Sequence, residues 1–152
     1  MPLAITTAAP EEFPALADLW EASVRASHDF VSEADICFFK PLVRDTYLAA
    51  VSVRCARDAT GAILGFVGVA AGKIEMLFVA PNHFGHGIGT ALLRHAMEAL
   101  GATQVDVNEQ NEAAVGFYRH HGFTVLGRSP LDGLGKPYPL LHMARGDGAA
   151  PS

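Results

Sequence analysis

The stretch Val79-Ala-Pro-Asn-His-Phe-Gly-His-Gly-Ile-Gly-Thr-Ala-Leu-Leu93 decides how this chain folds. An apolar run over 74–79 precedes it and predicts a β-strand, and a helical pattern follows it. The helical spacing is carried by Ile88, Leu92, Leu93 and Ala96. Glycines occupy alternate positions at Gly85, Gly87 and Gly89. Because the first N–H groups of a helix have no internal partner, and glycine lets a ligand approach the main chain, the turn predicts a pyrophosphate site.

Two common phosphate-binding motifs do not fit this turn. A dinucleotide fingerprint needs a third glycine where Thr90 stands. A P-loop needs a Gly-Lys-Ser/Thr sequence, and no lysine occurs between Lys73 and Lys136. We therefore expect a ligand with a pyrophosphate group, bound by a motif other than these two.

A second strand–helix pair follows the first. Residues 104–107 alternate as a strand does, and Asn111 is a good N-cap for a helix whose first turn contains Glu112. Gly122 ends that helix as a C′ glycine, and a strand begins at Phe123.

The two segments together resemble motifs A and B of the GCN5-related N-acetyltransferase (GNAT) superfamily, and the whole chain is similar to its small bacterial acetyltransferases. In motif A, Phe84 occupies the Gln/Arg place, while Gly87 and Gly89 are the two small residues. Motif B is the pattern Asn-x-x-Ala-x-x-Phe-Tyr-x-x-x-Gly-Phe over 111–123. The likeness includes Ser27 to Asp35 and Leu134 to Leu141, and so covers nearly the whole chain.

The resemblance implies an α/β (α+β) fold: a mixed, mostly antiparallel sheet of about seven strands flanked by about four helices. Its order is β-α-α-β-β-β-α-β-α-β-β, with strands 4 and 5 parallel and splayed apart. The patterns predict an antiparallel hairpin with a tight turn at Ala71-Gly72, and a second helix over 34–48 that bends near Pro41. We expect one domain over 1–145 and a flexible tail over 146–152.

The resemblance also implies an acetyl-CoA-dependent N-acetyltransferase in which the amine attacks directly within a ternary complex. The expected cofactor-binding residues are Leu77, Phe78, Val79, Phe84, Gly85, His86, Gly87, Ile88, Gly89, Thr90, Asn108, Asn111 and Tyr118. The expected substrate-binding residues are Trp20, His28, Phe30 and Tyr138. A non-catalytic acyl-CoA sensor with the same fold is the alternative.

Three side chains are candidates for the proton transfers. Tyr118, at the tyrosine of motif B, is expected to protonate the departing thiolate. Glu75 and His28 compete for the role of general base. Simple alternation puts Glu75 on the strand face of Leu77 and Val79, opposite the face that carries Ile74, Met76 and Phe78.

The bulk composition limits the partners. The 152 residues carry a formal net charge of −5 with no basic cluster, which argues against nucleic acid and suits a cationic amine. No histidine, cysteine or acidic residue falls at metal-ligand spacing, and Cys37 and Cys55 are expected as buried or partly buried thiols. Without a membrane span or leader pattern, we expect a cytoplasmic monomer or homodimer whose acceptor is a protein lysine, a protein N-terminus or a small-molecule amine.

Overall fold

The computed structural model describes residues 3–28 and 30–145, and one seven-stranded sheet runs through them. The strands are β1 (Ala4–Thr7), β2 (Ser52–Arg57), β3 (Ile63–Ala70), β4 (Lys73–Val79), β5 (Gln104–Asn108), β6 (Phe123–Ser129) and β7 (Leu140–Arg145). Their order in the sheet is β1-β2-β3-β4-β5-β7-β6, and only the β4–β5 pair is parallel. The predicted fold is confirmed. The tail predicted over 146–152 lies outside the described residues.

Four α-helices cover the sheet. They are α1 (Phe13–Ser27), α2 (Glu33–Leu42), α3 (Ile88–Ala99) and α4 (Glu112–His120). Helices α1 and α2 pack on one face, around Trp20 and Phe66, while α3 and α4 pack on the other, around Leu92 and Tyr118. Gly65 allows α3 to sit this close, because a Cβ there would lie only 3.1 Å from Leu92 Cδ1 and 3.3 Å from Ile88 Cγ2 of that helix.

The predicted second helix is shorter than its pattern. Helix α2 ends at Leu42, one residue after Pro41, and the chain continues through a π-helical turn over Val43–Tyr47 and a 3-10 turn over Leu48–Ala50. Proline has no N–H to donate to the preceding turn, which accounts for the change of helix type.

The hairpin between β3 and β4 is confirmed, and its turn residues have positive φ, 51° at Ala71 and 78° at Gly72. This geometry matches the right-handed twist of the two strands. The expectation for the cysteines is half wrong: Cys55 is buried, and burial raises the pKa of its thiol to about 11, but Cys37 is exposed.

Strands β4 and β5 stay together for only two residue pairs, Lys73 with Gln104 and Ile74 with Val105. Beyond these pairs the strands diverge toward their carboxyl ends. The gap exposes main-chain groups of β4 in the middle of the sheet, and the cavities described below open beside it.

A β-bulge in β4 overturns the simple alternation expected for Glu75. Gly68 pairs with Met76 and Val69 with Ile74, so Glu75 is an extra residue with no partner on β3. Ile74 therefore packs against the α3 and α4 face, whereas Glu75 lines a cavity on the face of Met76. The predicted placement of Glu75 beside Leu77 and Val79 is wrong, because a bulge shifts the period-two pattern by one residue.

Candidate functional site

A cavity of about 630 Å³ lies along the carboxyl end of β4, beneath the glycine-rich turn. It is lined by Ser23, Ser27, His28, Leu77, Phe78, Val79, His83, Phe84, Gly85, Gly87, Ile88, Gly89, Thr90, Asn111, Ala113, Ala114, Phe117 and Tyr118. Eleven of the thirteen residues predicted to bind the cofactor are in this lining. We call it the donor cavity.

The glycine-rich turn has the shape that an anion cradle requires. Gly85 and Gly87 have φ of 79° and 82°, and Gly87 is the N-cap of α3. No protein atom lies within 4 Å of the Cβ that a side chain would add at either position. The turn therefore leaves open space beside the start of α3, where the first N–H groups have no partner within the helix, and the cradle fits a pyrophosphate. Phe84 adds an exposed aromatic ring to this cavity, in place of an amide or a cation.

Tyr118 lies on α4 at the wall of the donor cavity and is 5% exposed. Its ring packs edge-on against Phe117 and Phe123. Among the described residues no group forms a hydrogen bond with its hydroxyl. Burial raises the pKa of this hydroxyl above its ordinary value, so the group is protonated at neutral pH.

His28 ends α1 and lines the donor cavity as well as a smaller one. Its Nδ1 lies 2.7 Å from Ser27 Oγ, and its Nε2 lies 3.1 Å from Asn111 Nδ2. Ser27 Oγ donates its own proton to the Ser23 carbonyl, and Asn111 Oδ1 accepts from the Ala114 N–H, so both neighbours have a defined role toward the imidazole.

The hydrogen bonds assign the tautomer of His28. The hydroxyl of Ser27 donates its hydrogen bond to the Ser23 carbonyl, so Nδ1 of His28 carries a proton and donates to Ser27 Oγ. Nδ2 of Asn111 is a donor, so Nε2 of His28 accepts from it. Burial lowers the pKa of His28, in agreement with a neutral ring. Both ring nitrogens are engaged, and the ring has no free lone pair for a substrate proton.

The smaller cavity has a volume of about 260 Å³ and lies on the α1 and α2 face of the sheet. It is lined by Trp20, Val24, His28, Val31, Phe39, Val43, Tyr47, Glu75, Met76, Phe78, Asn108, Asp132, Tyr138 and Leu140. Its two carboxylates are Glu75 and Asp132, and its single histidine is held neutral. His28 and Phe78 line both cavities, so the two spaces meet at these side chains. We call the smaller one the acceptor cavity.

Three predicted site residues lie elsewhere than expected or only beside a cavity. Asn108 lines the acceptor cavity instead of the donor cavity. His86 is exposed and contacts the ring of His83 from outside the lining. Phe30 packs between His28 and Tyr138, with ring centroids 5.3 and 6.1 Å away, and so contacts two residues of the smaller cavity without lining it. Trp20, predicted to bind the substrate, lies in the lining of the acceptor cavity and is almost fully buried.

Several residues that the fold brings to the cavities have no distinctive pattern in the sequence. Ser23 and Ser27 reach the donor cavity from α1, and Asp132 reaches the acceptor cavity from the loop before β7. Asp35 contacts that loop at Tyr138 and Lys136. A helical serine or a loop aspartate has no distinctive spacing, and only the tertiary contacts mark it.

A chain of hydrogen bonds crosses the part of the sheet that α1 and α2 leave uncovered. Ser129 Oγ lies 2.7 Å from His142 Nε2, His142 Nδ1 lies 2.7 Å from Asp106 Oδ1, and Lys73 Nζ lies 2.8 Å from Asp106 Oδ2. A bulge at Leu126 turns Ser129 toward His142. None of the four lines either cavity, and their cross-strand contacts stabilise the open sheet.

The described residues were also compared with the requirements of a membrane-spanning helix and of a metal site. No helix among them is both long and apolar enough to cross a membrane. In the same part of the chain, no three histidine, cysteine or acidic side chains are grouped so as to hold a metal ion.

Comparisons with known proteins agree with this geometry. The acetyltransferase (GNAT) domain model matches residues 47–125. The chain is 39% identical to the peptidyl-lysine N-acetyltransferase YjaB of Escherichia coli K12, over 95% of this chain and 97% of that one. The solution structure of apo YjaB from E. coli superposes with a TM-score of 0.88 at 38% identity, covering 96% of this chain and 99% of the other.

A more distant structure shares the fold. The PaiA N-acetyltransferase of Thermoplasma acidophilum, solved in complex with coenzyme A, has a TM-score of 0.73 at 20% identity and covers 95% of this chain and 99% of that one. The matching domain model and the YjaB relatives carry the assignment: the chain belongs to the GNAT family and is an N-acetyltransferase.

Proposed function

We propose that the protein transfers the acetyl group of acetyl-CoA to the ε-amine of a lysine in a polypeptide. The observation that carries this proposal is the meeting of two cavities at His28 and Phe78, one with an anion cradle and one whose carboxylates favour a cation. The relatives named peptidyl-lysine N-acetyltransferases support a protein acceptor. Since acetyl-CoA is a cytosolic metabolite, we expect a cytoplasmic enzyme, monomeric or homodimeric, without a nucleic-acid partner.

The donor cavity fits acetyl-CoA, which supplies an activated thioester carbonyl. The free N–H groups around Gly87 and at the start of α3 would hold the pyrophosphate. Main-chain groups of Leu77 and Val79, at the divergent end of β4, would hydrogen-bond the pantetheine arm as an added strand does. Asn111 would contact the arm from the other wall, while Phe84 would pack against the cofactor with its ring.

Glu75 is the proposed general base. Its side chain is 40% exposed and lines the acceptor cavity, where the bulge of β4 has turned it. A lysine amine is protonated at neutral pH, so a carboxylate within the cavity must take its proton before the amine can attack. His28 is a poorer base because hydrogen bonds to Ser27 and Asn111 engage both its nitrogens. We assign it the role of orienting Asn111 at the junction.

Tyr118 is the proposed general acid. Tyr118 lines the donor cavity, and no other described group forms a hydrogen bond with its protonated hydroxyl. The attacking amine forms the new C–N bond, the C–S bond breaks, and the Tyr118 hydroxyl donates a proton to the departing thiolate. No cysteine lines either cavity, so the transfer needs no acetyl-enzyme.

The proposal is tested by incubating the purified protein with acetyl-CoA and a lysine-containing peptide, and measuring thiol release and peptide mass. We expect a gain of one acetyl group on the lysine, and a much slower reaction for Glu75→Gln at neutral pH. Glu98→Gln, an exposed change on α3, is the matched control. If acetyl-CoA binds but neither the peptide nor small amines are acetylated, the proposal is wrong and a sensor role replaces it.

A further inference from the structure

One wall of the acceptor cavity is a loop, residues 130–139, that connects β6 to β7. Asp132 and Tyr138 of this loop are in the cavity lining. Asp132 Oδ1 accepts hydrogen bonds from the main-chain N–H groups of Leu134 and Lys136, both at 2.9 Å, and its N–H donates to the Lys136 carbonyl at 3.0 Å. The loop is therefore folded on itself and can act as one unit.

Asp35, in the first turn of α2, holds this loop against the opposite wall. Its Oδ2 accepts the hydroxyl proton of Tyr138, and its Oδ1 lies 2.9 Å from Lys136 Nζ. Each carboxylate oxygen thus has a partner from the loop, across about a hundred residues of sequence. Asp35 is itself fixed, because its N–H donates to Ser32 Oγ, the N-cap of α2, at 3.1 Å.

Two aromatic contacts orient the loop partners of Asp35. Lys136 Nζ lies 4.6 Å from the ring centroid of Phe38, which belongs to α2 and is half exposed. Tyr138 is 8% exposed, and its ring contacts Phe30. The hydrogen bonds from Tyr138 and Lys136 lower the pKa of Asp35, so the carboxylate is ionised at neutral pH.

Asp35 connects two walls of the acceptor cavity that come from distant parts of the sequence. Val31 and Phe39 line it from the α2 side, and Asp132 and Tyr138 line it from the loop side. The distance between these walls limits what enters a cavity of about 260 Å³. A slim methylene chain ending in an amine fits a narrow cavity, whereas a bulky amine needs the loop to swing out.

We propose that Asp35 is a positioning residue that fixes the width of the acceptor cavity and so selects a slim lysine side chain over bulkier amines. The inference rests on the proposed function, since it assigns this cavity to the acceptor. Asp35 touches neither reactant: it acts through Tyr138 and Lys136. Loss of its carboxylate loosens the loop and leaves the donor cavity, where Asp35 has no contact, as it was.

The test compares Asp35→Ala with Asp45→Ala, which removes an exposed aspartate, paired with Arg44, from the segment after α2. For Asp35→Ala we expect KM for the lysine peptide to rise roughly tenfold with a smaller change in kcat. We also expect kcat/KM for benzylamine to rise relative to the peptide, while the Kd for coenzyme A stays unchanged. Asp35→Glu, which keeps the carboxylate, should restore part of the peptide KM, and Asp45→Ala should match the wild type.

Amide hydrogen exchange supplies the second readout. The N–H groups of Leu134 and Lys136 should exchange faster in Asp35→Ala, with no change around Gly87. The inference is overturned if exchange in the loop is unchanged, or if the loop loosens while KM and the amine preference stay at wild-type values. Failure of the wild type to acetylate any amine would instead overturn the proposed function, and the exchange result would still decide whether Asp35 holds the loop.

Discussion

The donor and acceptor cavities are neighbours, but their walls come from the chain in different ways. The donor cavity takes ten of its lining residues from two short stretches, 77–79 and 83–90. The acceptor cavity collects its lining from α1, the α2 region, β4, β5 and the loop before β7. A site made from one strand–turn–helix unit can be predicted from a local sequence pattern, whereas a site assembled from five separate segments cannot.

The largest expected effect separates chemistry from binding within the donor cavity. Tyr118→Phe removes the hydroxyl proposed to protonate the thiolate, and we expect kcat to fall by roughly 100-fold or more. The Kd for coenzyme A, measured by calorimetry, should stay within a factor of about two, since the ring remains in place. A variant that keeps its kcat would show that Tyr118 is a packing residue only.

The next effect tests whether the donor cavity depends on its local backbone. Gly87→Ala places a side chain at a φ of 82°, in the space proposed for the pyrophosphate. We expect the Kd for coenzyme A to rise by roughly tenfold, while KM for the acceptor changes little.

Gly61→Ala is the matched control for this variant. Gly61 has a φ of 85°, also has open space around it, and lines neither cavity. Its replacement should lower stability by a similar amount, about 1 kcal/mol, without affecting coenzyme A binding. Equal loss of affinity in both variants would mean that general backbone strain, and not the cradle, controls binding.

A third prediction concerns the junction at which the two cavities meet. Asn111→Asp keeps the oxygen that caps α4 but places a second oxygen opposite Nε2 of His28. Two acceptors then face each other, so protonation of the ring becomes favourable. We expect the pKa of His28, followed by NMR titration, to be higher in this variant than in the wild type.

The sign of the pH dependence follows from the lowered pKa of His28 in the wild type. Its contribution to folding is fully present above the unfolded pKa of about 6.5 and is lost as the pH falls toward the folded value. His121, whose pKa is also lowered by burial, contributes with the same sign. The part due to His28 should shrink in Asn111→Asp, whereas Asn82→Asp, the same charge change in an exposed turn, should leave it intact.

The smallest effect comes from a region that belongs to neither cavity. Ala71 has a φ of 51° in the tight turn between β3 and β4, a conformation that asparagine tolerates better than alanine. Ala71→Asn should raise the free energy of unfolding by about 0.5 kcal/mol in urea denaturation, with unchanged kinetic constants. A destabilised variant would show that the turn is held by contacts that a larger side chain disturbs.

The accuracy of the sequence predictions follows the same division. The glycine turn, the cap at Asn111 and the buried face of α3 are local, and the structure agrees with them. The face of Glu75 was predicted wrongly, because a bulge depends on register with a neighbouring strand. The type of helix after Pro41 was also beyond local pattern.

The candidate site also contains residues that local sequence predicts and residues that depend on contacts between distant segments. Eleven predicted cofactor residues share one cavity because they follow one another along β4, the turn and α3, or occupy the motif positions of α4. Asn108 lies three residues beyond Val105, the last residue of β5 that pairs with β4, and lines the acceptor cavity. The locked tautomer of His28 needs Ser23, Ser27 and Asn111 together, and no spacing in the sequence connects them.

The amino-acid sequence by itself determined the strand–turn–helix cradle and hence the family, because glycine conformation, helix capping and apolar periodicity act over a few residues. Only the tertiary structure decided that Glu75 lines the acceptor cavity, that hydrogen bonds engage both ring nitrogens of His28, and that Asp35 contacts the loop before β7. Those properties depend on register, burial and hydrogen bonds between segments up to about a hundred residues apart, and such contacts exist only once the sheet has assembled.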